Sequence, residues 1–475
     1  MGSQGRTSDG VDSQFHEDLL SAVGRDSSRL NYPQSKEAVP YFNTDSPVLP
    51  LVIVTPQSSE QIAAIVRLAS RGGYKVQAKG GGHSYANHGL GGQDGSVIID
   101  MRSFQHFSID ISDWTARIGA GCLLGEMAQM LYDEGRAMPH GTCPQVGLGG
   151  HATTGGIGPA SRMWGLTLDC VMEAEVVLAD ASVIRASEKE HQDVLFALKG
   201  AGPSFGIVTE FRLRTEPAPT EIVRFDNILS SPEPSQRAKL FKQWQTFVSD
   251  PSLSRELHAG MDVFPQKAIV SGHYFGTKEA YDRLDVSAIC ARNDTYNETV
   301  SKTWIDVINA WADQVRVNFA GGMPRPFYAK SLNFKASQLM PDAVIHELFE
   351  YLARAYANGV MLLVSFHLVG GAVNDTVANA TAFAHRDTLY WMQFAAIENG
   401  GVSKATKGCV QGIADIITKG MPDGQFGAYL GHIDQDLSGA SDAYWGSNLP
   451  KLERIKGAVD RGDMFHNPQS VPPST

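Results

Sequence analysis

Residues 78–85 have the sequence AKGGGHSY, in which three consecutive glycines precede His83. A second glycine-rich stretch, HGTCPQVGLGGH at residues 140–151, carries Cys143. Glycine has no Cβ, so both stretches let the backbone approach a ligand beside a nucleophilic side chain. The successive backbone N–H groups of residues 80–84 can form a concave anion-binding nest that suits a diphosphate. Alone, either residue could be a packed turn residue, but together the two stretches predict a cofactor-binding site.

The residues before the first stretch predict a helix between two strands. Ser58 or Ser59 can cap the helix, and Gly72 and Gly73 can end it. Its apolar residues recur at helical spacing, at Ile62, Ile65, Val66 and Leu68. A lead-in helix is predicted at residues 15–23, and further strands at residues 96–101, 115–120, 171–178 and 207–213. This mixture of strands and helices predicts an α+β fold.

The length and the charge of the chain limit the classes of function. With 475 residues, the chain is expected to form two domains rather than one core. Lysine and arginine number 40 against 51 aspartates and glutamates, which gives a net charge of −11. This excess of negative charge argues against nucleic acid or an anionic membrane as a partner.

Cysteine usage and the N-terminal residues bear on the compartment. The five cysteines are an odd, widely spaced set, unlike a disulfide framework, and favour a reducing compartment: Cys122, Cys143, Cys170, Cys290 and Cys409. No apolar signal segment is visible at the N-terminus, so we expect a cytoplasmic protein. Four N-x-[ST] sequons favour the alternative, a secreted enzyme whose signal has been removed: Asn293, Asn297, Asn374 and Asn379.

Other cofactor motifs are missing from the sequence. No G-x-G-x-x-G opens a helix after a strand, and no P-loop lysine is present. There is also no C-x-x-C and no H-E-x-x-H, so we predict no metal site. These absences argue against a Rossmann-type dinucleotide site, a P-loop nucleotide site and a zinc site.

The two glycine-rich stretches resemble those of the berberine bridge enzyme-like FAD-linked oxidases, within the vanillyl-alcohol oxidase superfamily, and are similar to the fungal oligosaccharide oxidases among them. The similarity covers roughly residues 40–217 and returns near the C-terminus. It implies a two-domain α+β fold of the vanillyl-alcohol oxidase type. The FAD-binding domain would comprise residues 1–216 and 428–475, and the substrate-binding domain residues 217–427, with an antiparallel sheet covered by helices.

The same resemblance implies FAD bound through two covalent bonds, from His83 to the 8-methyl carbon and from Cys143 to the 6-position of the ring. A small residue at Val146 implies reaction of the reduced flavin with O₂, hence an oxidase that releases H₂O₂. Further cofactor contacts are implied at Lys79, Gly80, Gly81, Gly82, Ser84, Val146, Gly149, Gly150, His151, Gly155, Ile207 and Asn448. For His151 and the later glycines, close packing against the cofactor is an equal alternative to a chemical role.

The segment LLVSFHLVGG at residues 362–371 predicts a strand by its alternation. Leu363, Ser365 and His367 share the face that would meet the flavin. The resemblance aligns them with an aromatic platform, a Gln and an Asp of the oligosaccharide oxidases. Tyr85 and Gln393 match residues that line the sugar site in the family. Without the aromatic platform, a smaller or more apolar substrate is expected.

The segment YLGHID at residues 429–434 departs from the family's YLNYxD, whose Tyr is the catalytic base. His432 replaces that Tyr, and His367 replaces the Asp that supports it. Imidazole titrates near pH 6.5, so His432 is expected to act as base without the strong activation that a phenol needs. His367 would orient it or share its proton. The alternative is that one or both histidines are only hydrogen-bonded pocket residues.

The sequence thus predicts a hydride transfer from an alcohol or activated C–H of a small organic molecule to covalently bound FAD, which O₂ reoxidises. One alternative is an oligosaccharide oxidase acting on the reducing-end C1 hydroxyl. Another is a flavin-holding cyclase or binding protein that uses the pocket without net oxidation. We expect a monomer whose partners are the small-molecule substrate and O₂.

Overall fold

The computed structural model describes residues 12–289, 295–318 and 323–474. Cys290 and Asn293 lie outside these ranges. The helices within them are α1 (Ser13–Ala22), α2 (Ser59–Gly72), α3 (Leu124–Asp133), α4 (Leu148–Thr154), α5 (Ser161–Trp164), α6 (Gln192–Ala201), α7 (Pro234–Val248), α8 (Lys278–Tyr281), α9 (Trp304–Asn318), α10 (Asp342–Ala357), α11 (Lys404–Gly420), α12 (Ala440–Trp445) and α13 (Leu449–Val459).

The strands in the same ranges are β1 (Leu30–Asn31), β2 (Val52–Val54), β3 (Val76–Lys79), β4 (Val97–Asp100), β5 (Phe107–Asp110), β6 (Thr115–Gly119), β7 (Arg136–Ala137), β8 (Val171–Val177), β9 (Val183–Ser187), β10 (Ile207–Arg214), β11 (Glu216–Pro217), β12 (Ile222–Ser230), β13 (Leu257–Val263), β14 (Lys267–Tyr274), β15 (Thr295–Ser301), β16 (Phe327–Lys335), β17 (Met361–Leu368) and β18 (Thr388–Ile397).

The predicted helix between two strands is confirmed as α2. Ser58 caps it, because its hydroxyl accepts a hydrogen bond from the backbone N–H of Gln61 at 3.4 Å. Gly73 ends it with φ of 72°, a left-handed conformation that glycine adopts without a Cβ clash. The helix lies between β2 and β3 of a four-stranded sheet, in which β2, β4 and β3 are parallel.

The predicted strands at residues 115–120, 171–178 and 207–213 are confirmed as β6, β8 and β10. They belong to a five-stranded antiparallel sheet of order β5-β6-β10-β8-β9. Apolar residues of both sheets and of α1, α2 and α3 form one buried core. This part of the protein is called the first lobe below.

A seven-stranded antiparallel sheet of order β15-β12-β14-β13-β17-β18-β16 forms the second lobe. Trp244 of α7, Phe349 of α10 and Ile413 of α11 share a buried core with Phe366 of β17, so these helices cover one face of the sheet. The α+β class and the helix-covered antiparallel sheet are therefore as the sequence predicts. The opposite face is left for the functional cavity.

The C-terminal segment packs against the first lobe. Lys456 of α13 is fully buried, and its Nζ donates to the carbonyl oxygens of Ser204 at 2.6 Å and Phe465 at 3.2 Å. Asp460 compensates its charge at 2.6 Å. The domain limits at residues 216 and 428 stay a prediction.

Two buried arginines join the lobes. Arg162 of α5 donates to the carbonyl oxygens of Leu257 at 2.8 Å and Val369 at 2.6 Å in the second lobe. Desolvation lowers the pKa of its guanidinium to about 10. Arg386 makes a two-point ion pair with Asp169 at 2.7 and 2.8 Å. These contacts fix the sheet of the second lobe relative to the glycine-rich stretches.

The cysteines at positions 122, 143, 170 and 409 are all free thiols. Within the described ranges, no helix is long and apolar enough to span a bilayer.

Candidate functional site

The two glycine-rich stretches lie against each other, backbone on backbone. A Cβ on Gly81 would lie 2.5 Å from the carbonyl oxygen of Gln145, and one on Gly147 would lie 2.2 Å from the backbone nitrogen of Gly81. Only glycine permits such an approach, so the sequence pattern has a direct physical reason. The contact brings His83 and Cys143 to the wall of the same cavity.

This cavity has a volume of about 500 Å³ and lies between the lobes. Most of the predicted cofactor residues line it: Lys79, Gly80, Gly81, Gly82, His83, Ser84, Cys143, Val146, Gly149, Gly150 and His151. The second lobe and the C-terminal segment supply His367, Gln393 and His432. The structure thus assembles residues that are separated by up to several hundred positions in the sequence.

Three predicted cofactor residues do not line the cavity. Gly155 packs on the ring of Tyr429, where a Cβ would be 2.7 Å from Cε2. Ile207 is 1% exposed in the core of the first lobe. The side-chain amide of Asn448 donates to the carbonyl oxygens of Ala378 at 2.7 Å and Thr381 at 3.0 Å. Their roles in this structure are in packing and in loop attachment.

His83 lies against the ring of Phe42, with the centroids 4.3 Å apart and the planes 30° apart. Desolvation lowers the pKa of this imidazole to about 4, so the ring is neutral near pH 7 and keeps a nucleophilic nitrogen. Desolvation instead raises the pKa of the Cys143 thiol, against the opposing effect of nearby backbone N–H groups. The thiol Sγ lies 3.2 Å from Oε1 of Gln145.

Val146 and His151 flank the cysteine. Val146 is half-buried, packs against the core of the first lobe and lines the cavity. Nε2 of His151 accepts a hydrogen bond from the backbone N–H of Gly141 at 3.0 Å, so the proton of this neutral ring is on Nδ1. The bond ties the two ends of the second glycine-rich stretch together, which favours the packing role for His151.

The predicted alternation along β17 is confirmed. Leu362, Val364 and Phe366 face the helix-covered core, whereas Leu363 and His367 line the cavity. Ser365, predicted to meet the substrate, does not line the cavity; its hydroxyl donates to Oδ1 of Asp262 at 2.5 Å. In this structure, Ser365 therefore hydrogen-bonds a neighbouring carboxylate.

His432 ends a short 3-10 turn, Leu430–His432. Its ring stacks on that of Tyr85, with the centroids 5.4 Å apart, and meets the edge of Tyr429 at 5.0 Å. Nδ1 of His432 is buried and has no hydrogen-bond partner. Desolvation, followed by repulsion from His367, lowers the pKa of His432 to about 3. The pKa near 6.5 that the sequence analysis expects for His432 is therefore wrong in this desolvated environment.

The loop that carries His432 is anchored on both sides. The Tyr429 hydroxyl accepts a hydrogen bond from the backbone N–H of Gly156 at 3.0 Å. Asp434, which is 3% exposed, forms a buried ion pair with Lys330 and accepts a hydrogen bond from the Tyr328 hydroxyl at 3.2 Å. Sequence reasoning missed Lys330 because nothing local links β16 to this loop.

Tyr85 and Gln393 meet in the cavity as a pair from opposite lobes. The Gln393 side-chain amide donates to the Tyr85 hydroxyl at 2.8 Å. Desolvation raises the pKa of Tyr85 to about 12, so the phenol stays protonated at neutral pH. The pair fixes the phenol hydroxyl beside the stacked His432.

Sequence reasoning also missed a row of polar side chains on β13 and β14. His258 and Asp262 of β13 and His273 of β14 all line the cavity. Spacing by two along residues 258–262 was a usable signal, but the pairing of His258 with His273 depends on strand register. Nδ1 is buried without a partner in both histidines.

The protonation of His273 can be assigned from its neighbour. The indole N–H of Trp311 donates to Nε2 of His273 at 3.0 Å. Because an indole nitrogen only donates, Nε2 must be the acceptor, and desolvation lowers the pKa of the ring to about 3, which keeps it neutral. The remaining proton is therefore on Nδ1. His273 presents an N–H donor that lacks an acceptor.

The opposite part of the wall is apolar. Phe42, Phe327, Leu363, Ala395 and Ile397 line it and pack together as one cluster, with the first and third residues only partly buried. The described residues contain no group of three or more His, Cys, Asp or Glu side chains arranged to bind a metal ion.

Two families match separate parts of the chain. Residues 50–187 match the FAD binding domain family, and residues 428–472 match the berberine and berberine-like family. FAD-linked oxidoreductase sorD of Penicillium rubens is 40% identical over 470 residues, which cover 97% of this chain and 99% of that protein.

Solved structures of oligosaccharide oxidases have the same fold. A chitooligosaccharide oxidase superimposes with a TM-score of 0.88 at 29% identity, covering 97% of this chain and 100% of the other. Glucooligosaccharide oxidase from Acremonium strictum, described with 6-S-cysteinyl, 8α-N1-histidyl FAD, superimposes with a TM-score of 0.87 at 29% identity, covering 96% and 100%.

Proposed function

This protein belongs to the berberine bridge enzyme-like family of FAD-linked oxidoreductases, and we propose that it oxidises a small organic molecule with FAD attached to both His83 and Cys143. The observation that carries the proposal is the shared cavity. Both proposed attachment residues line it, together with His367 of the second lobe and His432 of the C-terminal segment. A cofactor fixed on one side would meet a substrate held on the other.

The residues of the first lobe fit FAD. Gly150 has nothing within 4 Å of the position of a Cβ, so the glycine-rich wall leaves room for a ligand. The consecutive N–H groups after β3 suit the diphosphate. The chemistry that FAD supplies when bound is hydride acceptance followed by electron transfer to O₂. A neutral His83 and the free thiol of Cys143 are the groups that can form covalent bonds to it.

His432 is proposed as the base that takes the proton of a substrate hydroxyl. Its lowered pKa keeps the imidazole neutral at every pH at which the protein is ordinarily handled, and Nδ1 has no partner in the protein. A neutral imidazole with a free nitrogen can accept a hydrogen bond and then a proton. Stacking on Tyr85 orients the ring, and repulsion from His367 adds to the desolvation that lowers its pKa.

The walls of the cavity suit a substrate that has both an apolar portion and a hydrogen-bond acceptor. The cluster around Phe327 and Leu363 suits an apolar portion, whereas His273 offers a buried N–H to an acceptor oxygen. A carbonyl or hydroxyl oxygen would satisfy this donor. Leu363 cannot provide the stacking surface that a pyranose ring uses, which favours a smaller or more apolar alcohol over a sugar chain.

A second candidate is an oligosaccharide oxidase, favoured by the Tyr85 and Gln393 pair, which the family resemblance matches with residues that line the sugar site. For both candidate functions, the small side chain of Val146 at the cavity wall supports reaction of the reduced flavin with O₂. A monomeric state and a cytoplasmic location stay predictions from the sequence.

The test is a substrate panel with two readouts. Purified holoenzyme is mixed without oxygen with cello- and xylo-oligosaccharides, phenolic polyketides, terpenoid alcohols and alkaloids, and flavin absorbance is recorded; peroxide is measured after air is admitted. Bleaching by a small alcohol with equimolar peroxide supports the proposal, and bleaching only by oligosaccharides supports the second candidate. A product formed without bleaching would contradict both and favour a cyclase.

A further inference from the structure

Arg325 places a cation in the wall of the cavity, two residues before β16 begins. Its Nε is buried and has no hydrogen-bond partner. Within the described ranges, no side chain or carbonyl oxygen hydrogen-bonds the guanidinium and no carboxylate forms an ion pair with it. A guanidinium stays charged in proteins, and a buried donor without an acceptor is unfavourable. Arg325 therefore lacks a partner that the protein itself does not supply.

The backbone of Arg325 is held firmly against the segment that precedes α2. Its N–H donates to the carbonyl oxygen of Phe42 at 3.1 Å, and its own carbonyl accepts from the N–H of Thr44 at 3.1 Å. The buried Asn43 between them donates through Nδ2 to the carbonyl oxygen of Phe327 at 2.9 Å. In extended chain, residues two apart share a face, so Arg325 lies on the cavity side with Phe327.

The other charged side chains of the cavity wall already have partners. Besides histidines, the ionisable lysine, arginine and acidic residues that line it are Lys79, Asp262 and Arg325. Lys79 pairs with the buried Asp100 at 3.1 Å. Asp262 accepts the hydroxyl of Ser365 at 2.5 Å and makes no ion pair with Arg325. The wall thus presents one cation without a counter-charge.

The acidic residue on the segment that holds Arg325 is also engaged elsewhere. Asp45, two positions after Asn43, pairs with Lys407 of α11 at 3.2 Å. It also accepts a hydrogen bond from the backbone N–H of Val402 at 2.7 Å. Neither the wall nor this segment therefore neutralises the guanidinium.

We propose that Arg325 binds an anionic oxygen of the substrate, either a carboxylate or the ionised hydroxyl of a phenol or enol. The apolar part of the same molecule lies on the cluster around Phe327 and Leu363. The planar guanidinium offers paired N–H donors that match such oxygens, and charge-assisted hydrogen bonds are stronger than neutral ones. The small organic molecule of the proposed function is thereby narrowed to an acidic one.

The diphosphate of FAD is the other anion that the cavity would hold. It is predicted to lie on the backbone N–H groups of residues 80–84 in the first lobe, whereas Arg325 continues the apolar wall of the second lobe. Phe42, whose carbonyl oxygen holds Arg325, stacks on His83, the proposed attachment point of the flavin ring. This position favours a substrate anion beside the ring over the diphosphate.

Binding can be measured without turnover. Oxidised holoenzyme is titrated by calorimetry with benzoate, phenylacetate and cinnamate, each beside its neutral amide. We expect at least one acid to bind more tightly than its amide. In Arg325→Met the Kd of that acid should rise by about 10- to 100-fold, the effect of losing a charge-assisted hydrogen bond, whereas the Kd of the amide should stay nearly unchanged.

Three further variants make the result specific. Arg325→Gln is a second neutral variant with the same expected loss, and it replaces Arg325→Met if that variant does not fold. Arg325→Lys keeps the charge without the planar fork and should lose less. Arg283→Met removes an exposed arginine paired with Glu279 at 3.0 Å and should bind both probes as wild type does.

A phenolate arm separates the two sources of the anion. At pH 9, 4-cyanophenol is mostly ionised and phenol is not, so preference for 4-cyanophenol that Arg325→Met removes would show recognition of a phenolate or enolate. Preference for the acids alone would show recognition of a carboxylate. Added salt should weaken the binding of the preferred anion to the wild type more than to Arg325→Met, because salt screens the charge.

The proposal is overturned if no anion binds the wild type more tightly than its neutral counterpart, or if the neutral variants weaken anion and neutral probe equally. Poor flavin loading of Arg325→Met with the preference for anions intact would assign the arginine to the cofactor and would also overturn it. That the anion belongs to the oxidised molecule rests on the proposed function. Charge-selective binding without any bleaching in the substrate panel would leave the anion site standing and count against the oxidation.

Discussion

The ring of His432 lies parallel to that of Tyr85 within 21°, with the two centroids 5.4 Å apart. Tyr85 follows the proposed attachment residue His83 by two positions, whereas His432 arrives on the segment that returns from the second lobe. The stack therefore joins the cofactor side of the cavity to the proposed base. A displacement of either ring would alter both the position of the base and the hydrogen bond between Tyr85 and Gln393.

The first prediction concerns flavin attachment. Acid-precipitated wild-type protein should form a yellow pellet, because a covalent bond survives denaturation. His83→Ala and Cys143→Ala should each keep flavin through the other bond, and the double variant should release it. Cys409→Ala, which changes a free thiol on α11 outside the cavity, is the matched control. A colourless pellet from fully loaded wild type would contradict attachment.

The second prediction concerns reaction with O₂. Val146→Leu should slow reoxidation of pre-reduced enzyme, because a larger side chain leaves less space in the cavity for O₂. Reduction by substrate should be nearly unchanged. Stopped-flow absorbance separates the two half-reactions. Val208→Leu alters another valine of the same cavity and is expected to behave as wild type. If both variants reoxidise at the wild-type rate, Val146 has no part in oxygen access.

The third prediction concerns the donor on His273. His273→Ala should raise KM by up to about tenfold with little change in kcat, the effect of one neutral hydrogen bond worth about 0.5–1.5 kcal/mol. Trp311→Phe should raise KM less, because it only frees the ring to place its proton on either nitrogen. His106→Ala changes an exposed histidine paired with Glu210 at 2.8 Å and should have no effect. An unchanged KM in His273→Ala would remove His273 from the substrate site.

The fourth prediction concerns the loop anchor. Lys330→Met should destabilise the protein by about 3–5 kcal/mol, because it leaves the Asp434 carboxylate buried without its cation. The double variant Lys330→Met with Asp434→Asn should recover part of this loss. Urea unfolding followed by fluorescence measures both. A single variant as stable as wild type would show that the ion pair does not hold the His432 loop.

Local patterns sufficed where the structure depends on neighbours in sequence. The helix cap at Ser58, the alternation along β17 and the glycines beside His83 were all predicted correctly for this reason. The backbone contact between the two glycine-rich stretches could not be predicted from either stretch, since it is not local.

Strand register and the desolvation of individual side chains could not be predicted from a single sequence. Asp262 became visible only when pairing placed it opposite Ser365, and the same contact turned Ser365 away from the substrate role predicted for it. The pKa of His432 depends on the surrounding wall, which lowers it to about 3. The side chains of Ile207 and Asn448, which were carried over from the family, do not line the cavity, and their cofactor contacts stay predictions.

The measurement that bears most directly on the mechanism is the rate of flavin reduction in His432→Ala, mixed with an oxidisable substrate without oxygen. A general base contributes about 10²- to 10⁴-fold, so reduction should slow by that factor while the flavin stays bound. Because the His432 pKa of about 3 lies below the tested range, the ring is unprotonated from pH 5 to 9, and the loss should be similar throughout. Reduction of His432→Ala at the wild-type rate at every pH would contradict its assignment as the base.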